Sequence, residues 1–205
     1  MPREICEGCQ RPQAVCLCPH LVSLKAPCEL VILQHPSEQK QALATVPILK
    51  QCISPIDVWV GEDFSGHPKL QALLEKPQTC RILFPSEESD NWSLDDPALA
   101  VQANIQYLII IDGTWRKAKR IWHMNPWLHE LPCAQLTDIP KTQYQIRSSS
   151  IEGGVSTLEA VSFACEYLTG SNTFRDLMKP FKAMIDMQIK KMGQEVFLAH
   201  YQKQD

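Results

Sequence analysis

Asp112-Gly113-Thr114-Trp115 brings a carboxylate, a glycine, a hydroxyl and an indole together behind the apolar run Tyr107-Leu-Ile-Ile-Ile111. A carboxylate there can accept a proton from a weakly acidic N–H, and burial beside an apolar strand end favours its protonated form. Gly113 lets main chain approach a ligand closely, and Trp115 can stack on a base or lie over a cation. Each residue also has a plain structural reading. Asp112 or Thr114 can cap the next helix, and Trp115 can pack into the core.

Cys6, Cys9, Cys16 and Cys18 form a C-x-x-C pair followed by a C-x-C pair. Four thiolates suit one tetrahedral zinc. The close second pair leaves room for His20 or Cys28 to replace a ligand, and a reduced, metal-free tail is the alternative. The first twenty residues carry too few aliphatic side chains to fold around a core of their own, so a metal would supply the missing stability. The chain has nine cysteines, and an odd number mostly set in apolar surroundings reads as a reduced, cytoplasmic set. No apolar run approaches the length of a membrane span.

Elements that could position these groups follow from the alternation of the sequence. Residues 29–33, 57–60, 79–84 and 107–111 read as strands, with 131–136 and 144–147 as weaker ones. Residues 37–45 read as a helix capped by Ser37, with a kink or a second short helix beyond Pro47. Further helices are expected over 68–76 and 115–124, and over 156–168 behind a Ser156-x-x-Glu159 capping box. A last helix over 174–201 is interrupted by Pro180. The stretch before Ser93 reads as a polar loop, followed by a short segment at 94–100. Strands alternating with helices indicate a mostly parallel sheet flanked by helices, and ligands of such sheets bind at the carboxyl ends of the strands. Asp112 falls there.

Asp112-Gly-Thr-Trp115 followed by Arg116-Lys-Ala-Lys resembles the defining DxTW motif of the DTW-domain family. Leu33-Gln-His-Pro-Ser-Glu38, Leu83-Phe-Pro-Ser86, and Arg147 followed by Ser156-Thr-Leu-Glu-Ala160 agree with that family in order and spacing, as does the cysteine cluster. The resemblance implies an α/β fold of SPOUT-like, knotted type, with a zinc-binding segment over residues 1–27 and a catalytic domain over 28–205. It implies transfer of the 3-amino-3-carboxypropyl group of S-adenosylmethionine to N3 of a tRNA uridine, with release of methylthioadenosine. The compact chain looks most like bacterial members that modify variable-loop position 47.

On that reading Asp112 is the catalytic base. Leu83, Phe84, Pro85, Ser86, Ile111, Gly113, Thr114, Trp115, Ser156, Thr157 and Glu159 surround the cofactor. His35, Arg116, Lys117, Lys119, Arg120 and Arg147 contact tRNA phosphates, and the zinc site holds the N-terminus against the RNA entrance. Basic residues at 175, 179, 182, 190 and 191 form a second patch. The net charge of −3 excludes a wholly basic polyanion receptor but not such local patches. Two other readings remain: a SPOUT-type methyltransferase using the same cofactor, and a zinc-containing RNA-binding protein without enzymatic activity.

Overall fold

A computed structural model describes residues 4–95, 104–142, 154–193 and 197. Six strands, β1 (Leu24–Gln34), β2 (Ile53–Val60), β3 (Cys80–Leu83), β4 (Asp90–Ser93), β5 (Tyr107–Asp112) and β6 (Cys133–Thr137), form one sheet in the order β2-β1-β5-β3-β6-β4. Every neighbouring pair is parallel. All strands therefore end on the same edge. The helices are α1 (Val46–Cys52), α2 (Leu70–Leu74), α3 (Trp115–Met124), α4 (Thr157–Thr169) and α5 (Met178–Met192).

Strand side chains alternate between faces, and both faces of this sheet are apolar. Leu30 and Ile32 of β1 and Leu108 and Ile110 of β5 pack with Leu158, Val161 and Ala164 of α4 and Phe181 and Met184 of α5. Val31, Leu33 and Ile109 point the other way, into a cluster with Leu70 and Leu73 of α2 and Ala118 and Ile121 of α3. A parallel sheet needs this two-sided cover, which explains the near-continuous apolar runs.

The helix expected over 37–45 does not form. A 3-10 turn spans Pro36–Glu38, and the helix begins at Val46. Proline lacks an N–H that a helix interior needs but its first turn does not, so Pro47 marks a start and not a kink. Ser37 caps nothing: its N–H donates to His35 Nδ1 at 3.2 Å. Pro180 acts in the same way within the first turn of α5, so the expected helix over 174–201 is a 3-10 turn, Asn172–Leu177, followed by α5. The polar loop before Ser93 contains strand β4, whose single buried side chain, Trp92, stacks on Tyr167 with ring centroids 4.8 Å apart. One apolar residue among Asp90, Asn91 and Ser93 gives no alternation to read. The strand expected over 144–147, residues 96–100 and most of the tail beyond 193 lie outside the described residues.

The N-terminal segment joins this core directly. Leu17 is buried within the cluster that holds α4 and α5. The Gln51 side chain, near the end of α1, donates to the carbonyl of Cys9 at 3.3 Å.

Candidate functional site

Gln34 and Asp112 end two parallel apolar stripes on one face of the sheet, Leu30-Ile32-Gln34 on β1 and Leu108-Ile110-Asp112 on β5, and the two polar residues are register partners. Both are buried, with 4% and 8% of their surface exposed. Asp112 Oδ2 accepts from Gln34 Nε2 at 2.9 Å, and Oδ1 accepts from Thr157 Oγ1 at 2.5 Å. Because an ionised carboxylate only accepts, the amide nitrogen of Gln34 must face it. Thr157 is the first residue of α4, so the carboxylate lies between a strand end and a helix start.

Beside this carboxylate a cavity of about 280 Å³ opens along the carboxyl ends of β5, β3 and β6. Leu83, Phe84, Pro85, Ile111, Gly113, Trp115 and Thr157, all named above from the sequence, line it, together with Gln135 and Leu136 of β6, Ile139 beyond it, and Gly154 and Val155 before α4. Its walls are mostly apolar, with main chain and a few polar groups at the rim, the usual composition of a small-molecule site. Trp115 is partly exposed and tilts against Phe84 at 6.1 Å, while Phe84 stacks on Trp122 at 4.6 Å. The indole is thus braced on one side and open to the cavity.

Four expected ligand contacts fall elsewhere. Ser156 and Glu159 form the capping box: Ser156 N–H donates to Glu159 Oε2 at 2.7 Å and Glu159 N–H to Ser156 Oγ at 3.2 Å. Glu159 also accepts from Thr142 Oγ1 at 2.9 and 3.0 Å, so its charge secures the start of α4. Ser86 belongs to the turn after β3, its hydroxyl 2.9 Å from that of Ser89. Thr114 is exposed at the N-cap of α3 and makes no side-chain cap.

The residues expected at tRNA divide sharply. Lys117 Nζ lies 2.7 Å from the buried carboxylate of Glu38. His35 Nε2 lies 2.7 Å from Glu62 Oε1, and Arg120 meets the other oxygen of Glu62 at 2.8 Å. These pairs flank Gly113, where an added Cβ would lie 3.0 Å from that of Lys117 and 3.6 Å from that of His35. Lys117, His35 and Arg120 thus brace the Asp112 loop, with the charges of Lys117 and Arg120 already paired. Arg116 and Lys119 are exposed on α3 and make no ion pair among the described residues. Arg147 lies outside the described residues. In the second basic patch, Arg175 pairs with Glu166 and Lys179 with Asp176.

Sequence reasoning missed Gln34, Glu38, Glu62 and Asn125. The first could have been found as the polar end of an alternating apolar stripe. Asn125 is fully buried and uses all its hydrogen-bonding capacity, taking Phe64 N–H and Trp127 Nε1 and giving to the carbonyls of Glu62 and Ile121. It fixes the loop that carries Glu62.

The cysteine cluster stands apart from this edge. The sulfurs of Cys6, Cys9, Cys16 and Cys18 all lie within 4.8 Å of one another, with separations of 3.5, 3.7 and 3.4 Å for the pairs 6–18, 9–16 and 6–16. Zinc-bound thiolates at about 2.3 Å from the metal define a tetrahedron with edges of about 3.8 Å, so the four fit one ion. Burial pushes the Cys9 thiol up, but backbone N–H groups of Leu17 and Arg11 outweigh it and bring it down to about 6, as a metal thiolate requires. Any side chain at Gly8 would meet Cys18 Sγ at 2.8 Å. Neither His20 nor Cys28 belongs to the cluster; Cys28 is buried in β1, where desolvation raises its thiol to about 12.

Cys9 contacts Gln51 just before β2 starts beside Leu24, at the amino edge of the sheet. Ten residue steps of β1 separate that edge from Gln34, roughly 30 Å at the usual strand rise. The cluster therefore does not face the cavity, contrary to its expected place at an entrance there.

Fold and site together define a parallel α/β protein with an apolar cavity at its strand ends and a separate four-cysteine cluster. Residues 3–189 match the DTW domain, and the chain belongs to that family. It is 36% identical over 199 residues to tRNA-uridine aminocarboxypropyltransferase 2 of Macaca fascicularis, covering 92% of this chain and 64% of that protein. The protein of the same name from Mus musculus is 34% identical, with 92% and 64% covered, and that from Drosophila melanogaster 34%, with 91% and 76% covered. The chain thus spans just under two thirds of the length of the two mammalian relatives. No solved structure matches it. No helix among the described residues is long and apolar enough to cross a membrane.

Proposed function

We propose that this chain transfers the 3-amino-3-carboxypropyl group of S-adenosylmethionine to N3 of a tRNA uridine, in the variable loop at position 47, within the cytoplasm. The observation that carries the proposal is the buried Asp112 carboxylate, hydrogen-bonded to Gln34 and Thr157, whose chain neighbours Ile111 and Gly113 and whose partner Thr157 line an apolar cavity, in a chain whose relatives bear the name of that activity. The apolar walls from Leu83 to Pro85 and around Leu136 suit the adenosyl group, and Trp115 and Phe84 suit the sulfonium through their ring faces. Residues 28–205 act as the catalytic domain. The sheet, with β5 between β1 and β3, is read as SPOUT-like and knotted on the family resemblance.

When bound, the sulfonium supplies a carbon electrophile with a neutral thioether leaving group. As the N3–Cγ bond forms and the Cγ–S bond breaks, the uracil N3 proton passes to Asp112 and methylthioadenosine departs. The cavity selects Cγ over the methyl group by orientation, since both carbons are activated. Arg116, Lys119 and Arg147 neutralise phosphates beside the cleft, while Lys117, Arg120 and His35 hold the Asp112 loop through Glu38 and Glu62. Cys6, Cys9, Cys16 and Cys18 hold a structural zinc in the segment over residues 1–27.

Incubating the protein with S-adenosylmethionine and unmodified tRNA, then mapping nucleosides by mass spectrometry, tests this. A uridine carrying the aminocarboxypropyl group is expected; a methylated nucleoside or an unchanged tRNA contradicts it.

A further inference from the structure

We propose that Gln34 is a positioning residue for the transfer, acting through Asp112; this rests on the function proposed above. Gln34 lies behind the cavity wall, which Ile111, Gly113 and Thr157 form beside Asp112, so its influence on a ligand runs through the residues it touches. It is nonetheless a buried amide at the end of an otherwise apolar stripe, and an apolar residue there would continue the packing of Leu30 and Ile32 against α4. A buried polar side chain is costly unless it is hydrogen-bonded. The bond Gln34 makes is to one oxygen of Asp112, while Thr157 holds the other.

Two donors from opposite sides, one on a central strand and one on a helix start, fix both oxygens and with them the plane of the carboxylate. Loss of the Gln34 donor loosens Oδ2 and, with it, that plane. Gln34 is itself held, since its carbonyl accepts from Gly61 N–H at 3.1 Å and its strand is register-paired to β5. An acceptor that must meet the N3 proton while the C–N bond forms depends on that orientation in the transition state more than in cofactor binding. Gln34 therefore contributes to turnover and not to affinity.

The variant Gln34→Met keeps length and burial but removes the donor. Measured on the full chain with S-adenosylmethionine and tRNA, kcat is expected to fall about ten- to a hundredfold, a loss of the size a misplaced catalytic group causes. The KM for S-adenosylmethionine is expected to stay near that of the parent protein, and the melting temperature to fall by no more than the few degrees that one lost buried hydrogen bond costs, leaving the protein folded at the assay temperature. Parent-like kcat in Gln34→Met overturns the inference, as does a loss that appears only in KM or that the fraction unfolded at the assay temperature accounts for. An inactive parent protein would instead overturn the function proposed above.

Discussion

The hydroxyl of Thr157, the first residue of α4, donates to Oδ1 of Asp112, the last residue of β5, across 2.5 Å. The contact ties the start of a core helix to the end of a central strand, and it does so at the rim of the cavity. It makes Asp112 more than a cap for the helix that follows it, because α3 begins three residues later and its N-cap position is Thr114.

Removing the acceptor should separate binding from chemistry. Asp112→Asn keeps the size of the side chain and leaves the apolar cavity intact, so S-adenosylmethionine affinity by calorimetry is expected to remain close to that of the parent. Turnover is expected to fall at least about a hundredfold, the lower range for loss of a general base. Near-normal turnover would exclude Asp112 as the proton acceptor.

Removing the hydroxyl should weaken orientation more mildly. Thr157→Val keeps the branched shape at the helix start and loses one hydrogen bond to a charged group, a contribution of about 1.5–3 kcal/mol. Turnover is expected to drop about tenfold or more, and α4 is expected to persist because Ser156 and Glu159 still cap it. Far-ultraviolet circular dichroism and kcat measured together distinguish the two effects.

The exposed and the paired cations should behave differently. Arg116→Glu and Lys119→Glu are expected to weaken tRNA binding at low salt and to lower the salt dependence of affinity by about one unit of slope per lost phosphate contact. Lys117→Met instead strands the buried Glu38 carboxylate and is expected to cost about 1–3 kcal/mol of stability, read as a lower denaturation midpoint. A change in salt slope for Lys117→Met equal to that for Lys119→Glu would place Lys117 at the RNA after all.

Metal removal should act on stability before chemistry. The cysteine cluster sits at the amino edge of the sheet and is joined to the core through Leu17. A strong chelator, or Cys9→Ser, is expected to lower the melting temperature by several degrees. Turnover measured well below that temperature is expected to be retained. Elemental analysis of protein purified without chelator should give one zinc per chain.

Much of this was legible in the residues themselves. The run at 107–111, the turn at Asp112 and the helix from Trp115 to Met124 are strong because one periodicity gives way to another at a glycine. The Ser156 capping box is equally local, since both partners lie within four residues. What the sequence concealed depends on distant partners. Gln34 meets Asp112 across 78 positions and Lys117 meets Glu38 across 79, so no local pattern marks either pair. Lys117, Arg120 and His35 looked like an RNA surface because their acidic partners sit on other loops. The helix expected at 37–45 failed for a local reason: Pro47 fits a helix start, and the stretch before it is mostly polar, with Leu43 alone among its larger side chains packed against the core.

The identity of the carbon that moves is the central claim, and the by-product reports it directly. Chromatography of the small molecules released when the protein is incubated with S-adenosylmethionine and unmodified tRNA should show methylthioadenosine accumulating in step with modified uridine, and no tRNA-dependent release from Asp112→Asn. Release of S-adenosylhomocysteine in its place would mean that this cleft presents the methyl group to the RNA, and would contradict the account.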